Sequence, residues 1–151
     1  MISIFLSRNT NLAIPSVGNI RTIGVEAYWD LDGENKTETV EWGTIFPGLS
    51  KSIILYLKSV SNVETTLNLT ALNWNPPNIS DYLNLSWSYY GTPLEPGEVI
   101  QVTITLSASP SNSLVQYLII NDVRSFDFDI DIISTEIELP SAVTALNAHA
   151  H

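Results

Sequence analysis

The feature that most constrains this chain is an alternation of apolar and polar residues, repeated along most of its length. In residues 67–71 and again in residues 126–132, every second residue is apolar and the residues between are polar. Successive side chains of an extended strand point to opposite faces, so each such segment predicts a strand with one apolar face. Turn residues such as Pro47-Gly48 and Pro96-Gly97 interrupt the pattern about every ten residues.

The number and spacing of these segments predict the fold class. We expect about seven to nine short strands, including one at residues 115–120, and no helix before residue 140. Short strands at regular spacing are typical of sandwiches and barrels, and alternation favours antiparallel sheets with one solvated face. The sequence therefore predicts an all-β fold, an antiparallel two-sheet immunoglobulin-like sandwich. Its expected core contains Val25, Ile53, Leu55, Leu57, Leu67, Leu69, Leu85, Trp87, Val102, Ile104, Phe128 and Ile130.

Three segments divide the chain of 151 residues. Residues 1–15 are interpreted as an N-terminal strand or the remnant of a membrane anchor, because their apolar run is too short to span a bilayer and Arg8 is a charge of the kind that flanks spans. Residues 16–134 are expected to form the sandwich. Residues 135–151 are expected to be a tail, and its last four residues, AHAH, resemble a purification tag.

Charge and residue types exclude several functions. The chain has 16 acidic and 6 basic residues, a net charge of −10, which disfavours nucleic acid as a partner. It has no cysteine, and its only histidines, His149 and His151, lie in the tag-like end. Thiolate chemistry, histidine general bases and histidine-ligated zinc are therefore excluded. We expect no catalytic residue, no cofactor and no enzymatic activity.

One carboxylate cluster has two interpretations. Asp127, Asp129 and Asp131 occupy alternate positions and so share one face of a strand. With Asp122 or Asp30, they could hold Ca²⁺. The alternative is a solvated outer face that discourages pairing between sheet edges. We favour the second interpretation and expect no metal site.

Aromatic residues are the candidate ligand contacts. Trp29 and Trp87 continue apolar rows and are expected in the core, since sandwiches commonly bury a tryptophan. Trp74, beside a Pro-Pro loop, and Tyr90, before Gly91, are expected to be exposed. Exposed aromatic rings stack on the apolar faces of sugars, so these two are the candidate ligand-contacting aromatics.

Four Asn-x-Ser/Thr sequons occur, at Asn35, Asn68, Asn78 and Asn84. Asn35 and Asn78 lie in expected loops, whereas Asn68 and Asn84 lie on the polar faces of expected strands. All four are candidate N-glycosylation sites that leave the core undisturbed.

Turn and strand motifs carry a family resemblance over roughly residues 16–134. WGTIFPGLSKS (residues 42–52) followed by LYLKSVSNV (residues 55–63) resembles a pattern of prokaryotic surface immunoglobulin-like domains, as does LEPGE (residues 94–98). Domains of the CARDB type, related to cell adhesion, look similar. GNIRTIGVEAYWD (residues 18–30) resembles the start of archaeal surface proteins, in which it follows one N-terminal membrane helix.

The resemblance implies a location outside the cell, with or without an N-terminal membrane anchor that precedes this chain. Its partners would be other surface proteins, further copies of itself or glycans. We therefore expect a non-catalytic extracellular structural or adhesive module. Two alternatives stay open, namely a filament subunit that assembles by strand exchange through residues 1–14, and a carbohydrate-binding module of a secreted enzyme.

Overall fold

The computed structural model describes residues 14–137. The interpretations of the N-terminal segment and of the tail lie largely outside these residues. Eight strands are present: β1 (Ile14–Ile23), β2 (Val25–Tyr28), β3 (Thr39–Ile45), β4 (Ser50–Ser59), β5 (Thr65–Asn75), β6 (Leu83–Trp87), β7 (Val99–Ala108) and β8 (Phe126–Glu136). A 3-10 helix (Pro77–Tyr82) precedes β6, and an α-helix, α1 (Asn112–Ile120), precedes β8.

The strands form two four-stranded sheets, which confirms a two-sheet β-sandwich. Sheet 1 has the order β3-β1-β8-β5 and sheet 2 has the order β2-β4-β7-β6. All neighbours are antiparallel except β1 and β8, which run parallel from Ser16 opposite Phe126 to Ile23 opposite Ile133. The expectation of purely antiparallel sheets is therefore wrong at this pair. β1 and β8 are the first and last strands of the described chain, and they lie side by side in the same direction.

The inner faces of the two sheets form one apolar core, as the alternation predicts. None of the expected core residues is exposed. Four of them are half-buried and pack against the core: Ile53, Leu69, Leu85 and Trp87. The other eight are buried: Val25, Leu55, Leu57, Leu67, Val102, Ile104, Phe128 and Ile130.

The chain changes sheets at Gly24. This residue has a φ of +74°, and a Cβ there would lie 2.0 Å from the Ser134 hydroxyl, so only glycine fits without rearrangement. Because β1 ends in sheet 1 and β2 begins in sheet 2, Ile23 does not continue the buried row of Val25 and Ala27. Ile23 is 64% exposed.

Trp29 is 42% exposed, so its expected place in the core is wrong. It follows the end of β2, where the chain turns into a loop closed by the Asp30 carboxylate. That carboxylate accepts hydrogen bonds from the backbone N–H groups of Glu34 and Asn35. The Trp29 N–H donates to the Asn35 carbonyl, which holds the residue in the loop rather than in the strand.

Trp74 is half-buried rather than exposed, because a bulge reverses its direction. Between Leu72 and Asn75, β5 contains one residue more than β8, and Asn73 adopts a φ of 55°. The bulge turns the next side chain inward, and the Trp74 ring stacks on Phe128 with ring centroids 4.2 Å apart.

Residues 115–120 belong to α1, so the strand predicted there and the absence of helix before residue 140 are both wrong. Leu114 and Leu118, four residues apart, are buried on one side of the helix. Asn121 ends the helix, and its N–H donates to the Tyr117 carbonyl. A short apolar run fits either a strand or a helix, and here the spacing of four decides for the helix.

We predict that Leu55→Ala lowers the free energy of unfolding by about 2–5 kcal/mol, because Leu55 is fully buried and truncation leaves a cavity. The matched control is Ile54→Ala on the same strand. Ile54 is about half exposed, so its truncation should cost less than about 1 kcal/mol. Urea denaturation followed by tryptophan fluorescence measures both, and equal losses would contradict the assigned faces of β4.

Candidate functional site

A cleft of about 200 Å³ lies where β6 leaves β7. Pairing of the two strands ends at Trp87, and the chain then crosses from sheet 2 to the edge of sheet 1, where Leu94 pairs with Thr65. The uncovered stretch of β7 and the crossing segment, residues 88–98, form the walls of the cleft. Its lining residues are Ser88, Tyr89, Tyr90, Thr92, Pro93, Leu94, Glu98, Ile100, Gln101 and Val102.

The crossing segment is held at several points. The Tyr89 hydroxyl donates to the Thr92 carbonyl and accepts from the Leu67 N–H. Leu94 exchanges two backbone hydrogen bonds with Thr65, at 2.7 and 3.0 Å. The Ser59 N–H donates to the Glu98 carbonyl. Tyr89 is thus a structural residue, and the cleft is a preformed feature of the surface.

Tyr90 is the most exposed aromatic residue of the described chain, at 89%. Its neighbour Tyr89 anchors the loop, so the Tyr90 ring is displayed beside the cleft rather than packed. Ser88, Thr92 and Gln101 supply hydroxyl and amide groups at the same walls. An aromatic face beside neutral hydrogen-bonding groups is the combination that binds a polyhydroxylated ligand.

Glu64 and Glu95 lie side by side next to this cleft, with Glu98 close by. The proximity of Glu64 raises the pKa of Glu95, first because the protonated carboxyl can hydrogen-bond to Glu64 and second by charge repulsion, to which Glu98 also contributes. The Glu98 carboxylate accepts a hydrogen bond from the Glu95 N–H at 2.8 Å. Three glutamates therefore lie together on this side of the cleft.

The structure separates the two aromatics expected to contact a ligand. Tyr90 lines the cleft, whereas Trp74 is packed on Phe128 and Phe126 at the end of β5. The acidic residues beside the cleft were not anticipated from sequence. Glu64 and Glu95 are far apart in the chain, and only the bridge between Thr65 and Leu94 brings them together.

All four sequon asparagines are exposed. Asn35 lies in the loop between β2 and β3, Asn68 on β5, Asn78 in the 3-10 helix and Asn84 on β6. Each side chain is accessible to a glycan, and whether the sites are modified stays a prediction.

The acidic row on β8 is engaged with its neighbours. Arg21 makes a two-pronged contact with Asp131, with N–O distances of 2.8 and 3.1 Å, and the pair raises the pKa of Arg21. Asp129 accepts a hydrogen bond from the Asn73 amide at 2.7 Å. β8 lies inside sheet 1, so the row does not protect a sheet edge. Within residues 14–137, no group of three or more acidic or histidine side chains is arranged to hold a metal ion.

Comparisons with known proteins leave the family open. No protein-family model matches this sequence, and a search of curated proteins found no match either. In the part of the chain that the structure describes, no helix is both long enough and apolar enough to cross a membrane.

We predict that the acidic residues beside the cleft destabilise the fold at neutral pH. Because the pKa of Glu95 is raised in the folded state, the Glu95 carboxylate binds a proton more tightly in the native protein than in the unfolded chain. Stability should therefore rise as the pH falls from 7 through the range just above 4.5, the ordinary pKa of a glutamate. Glu95→Gln should raise the melting temperature at pH 7, on the order of 1–3 °C, and reduce the gain on acidification.

Glu41→Gln is the control, since it removes the same charge from β3, on the other side of the sandwich. Melting curves followed by circular dichroism at pH 7 and pH 5 measure both variants. An equal response of the two variants would show that net charge, rather than the contact between Glu64 and Glu95, sets the pH dependence.

Proposed function

We propose that this protein is a non-catalytic, immunoglobulin-like structural or adhesive module on the outer surface of a prokaryotic cell. The observation that carries the proposal is the strand order. In immunoglobulin domains, one sheet contains the first, second, fifth and fourth strands, and the other is centred on the third and sixth. β2-β4-β7-β6 follows the first pattern and β5-β8 follows the second.

Two differences from that arrangement involve the beginning of the described chain. β1 occupies the place beside β8 that a seventh strand normally takes, and it runs parallel to β8. β3 is an additional strand between β2 and β4 in the chain and pairs only with β1. The order of the remaining six strands is the observation that supports the proposed immunoglobulin-like class.

The surface chemistry supports a role outside the cell. Only 15% of residues are charged, so serine, threonine and asparagine supply much of the polar surface. The four exposed sequons lie on both sheets and in the connections between strands. The strongly negative net charge keeps such modules apart from one another except at uncharged contacts.

Labelling of intact cells tests the location. Lys36, Lys51 and Lys58 are exposed, so a membrane-impermeant amine reagent should modify the protein on intact cells of the source organism. The same preparation analysed by mass spectrometry should show glycan on at least one of the four sequon asparagines. A cytosolic protein serves as the control for cell integrity. Labelling that requires lysis would refute the surface location.

A carbohydrate-binding module is the second candidate, and the cleft beside Tyr90 favours it. The exposed ring offers a stacking surface, and the neighbouring neutral polar groups of Ser88, Thr92 and Gln101 offer hydrogen bonds. The acidic glutamates nearby disfavour anionic sugars. Neutral oligosaccharides are therefore the ligands that this cleft would accept.

We predict that, if the module binds neutral oligosaccharides on a glycan array, Tyr90→Ala weakens that binding by about ten-fold through loss of the stacking face. Trp29→Ala is the matched control, since Trp29 is an exposed aromatic in the loop between β2 and β3, outside the cleft. Isothermal titration with the best glycan measures both. An unchanged affinity in Tyr90→Ala, or no binding to any neutral glycan, would remove this candidate.

A further inference from the structure

One edge of sheet 1 offers unpaired backbone groups. β5 lies at the end of this sheet and pairs with β8 along one side only. The N–H groups of Thr65 and Leu67 donate to the Leu94 carbonyl and the Tyr89 hydroxyl, so both point away from β8. In an antiparallel strand the direction alternates with each residue. The N–H and C=O groups of Leu69 and Ala71 therefore also point outward.

The open part of this edge is short and has two defined ends. At one end, Leu94 occupies the outward groups of Thr65. At the other end, the bulge at Asn73 interrupts the strand. The Tyr89 hydroxyl, itself bonded to the Thr92 carbonyl, also covers the Leu67 N–H next to the Leu94 end. Residues 69–71 therefore form the open window. No residue of 14–137 hydrogen-bonds to the outward backbone groups of Leu69 or Ala71.

The apolar side chains next to this window are incompletely covered. Leu69 and Ala71 on β5, and Leu85 and Trp87 on β6, face the core and are only half-buried. On the opposite side of the sandwich, where β3 and β2 lie, the corresponding residues Val25, Val40 and Trp42 are at most 2% exposed. One lateral side of the sandwich is thus closed, and the side along β5 and β6 is open.

β5 lacks two of the features with which proteins protect a sheet edge, and the bulge at Asn73 is a third, which it has. Charged residues and proline commonly block edge-to-edge pairing, and none occurs among the 11 residues Thr65–Asn75. The other edge strands are shorter, with 4 residues in β2, 5 in β6 and 7 in β3. In a chain of net charge −10, an uncharged edge is where a second copy can approach with least repulsion.

We propose that residues 69–71 are a self-association edge, at which β5 of a second copy of this chain pairs in antiparallel orientation. The window is centred on Thr70, so a two-fold axis beside Thr70 places each open segment opposite itself. Leu69 of each copy then exchanges two hydrogen bonds with Ala71 of the other copy. About four hydrogen bonds join the two sheets into one continuous eight-stranded sheet.

The same geometry fixes the extent of the contact. The Leu67 position of one copy, already covered by its own Tyr89 hydroxyl, meets the other copy at the Asn73 bulge, where the strand is interrupted. The pairing therefore ends there. A contact over so few residues buries less surface than the ~1,200 Å² of a stable complex. The dimer is therefore weak, and its population depends on protein concentration.

Sedimentation of the full chain over a wide concentration range tests the proposal. The mass should rise from 16.7 kDa toward twice that value as the concentration approaches about 1 mM. Backbone hydrogen exchange measured on the same samples should slow at Leu69 and Ala71 as the fraction of dimer increases. The exchange rates of residues within β4 and β7 should stay constant. A monomer at all concentrations, or slow exchange at Leu69 and Ala71 that does not depend on concentration, overturns the proposal.

Two proline variants separate edge pairing from folding. Ala71→Pro removes an N–H that the fold does not use, so it should weaken association at least ten-fold with little change in melting temperature. Thr70→Pro, one residue earlier, removes an N–H directed at β8 and should lower the melting temperature. Dimerisation that persists in folded Ala71→Pro overturns the proposal, because the contact then lies elsewhere.

Discussion

The parallel ladder between β1 and β8 is the interaction on which sheet 1 depends. β3 joins the sheet only through β1, and β5 joins it only through β8. The inward positions of β1 include small residues, Ser16 and Gly18. A Cβ at Gly18 would lie 3.1 Å from the Trp42 indole nitrogen and 3.0 Å from Ile130, so the glycine lets these larger side chains close over β1. One side of the core is thereby filled by the neighbours of β1 rather than by β1 itself.

The alternation of apolar and polar residues was sufficient to predict the two-layer β architecture and a set of residues that all lie in the core or pack against it. It failed where a single residue changes the geometry of the chain. Gly24 moves the chain to the other sheet and leaves Ile23 exposed, and the bulge at Asn73 turns Trp74 inward. Strict alternation assumes a regular strand, so neither event is visible to it. The parallel partner of β1 is likewise a long-range choice that local pattern does not encode.

The candidate site was predictable only in part. Tyr90 follows the end of a strand and precedes a glycine, which is a local signal, and its exposure is confirmed. The contact between Glu64 and Glu95 depends on how the crossing segment meets β5, and nothing near either residue in the sequence indicates it. The helix α1 was missed for a different reason, since residues 115–120 are mostly apolar and satisfy both strand and helix patterns until the spacing of the buried residues is known.

The direction of β1 relative to β8 has a mechanical consequence. β1 begins at Ile14 and β8 ends at Glu136, and these two residues lie at opposite ends of the same parallel pair. Tension applied between the two termini therefore slides one strand along the other and loads all the hydrogen bonds between them together. An antiparallel pair pulled from adjacent ends would instead open one bond at a time. This arrangement therefore resists tension applied along the chain.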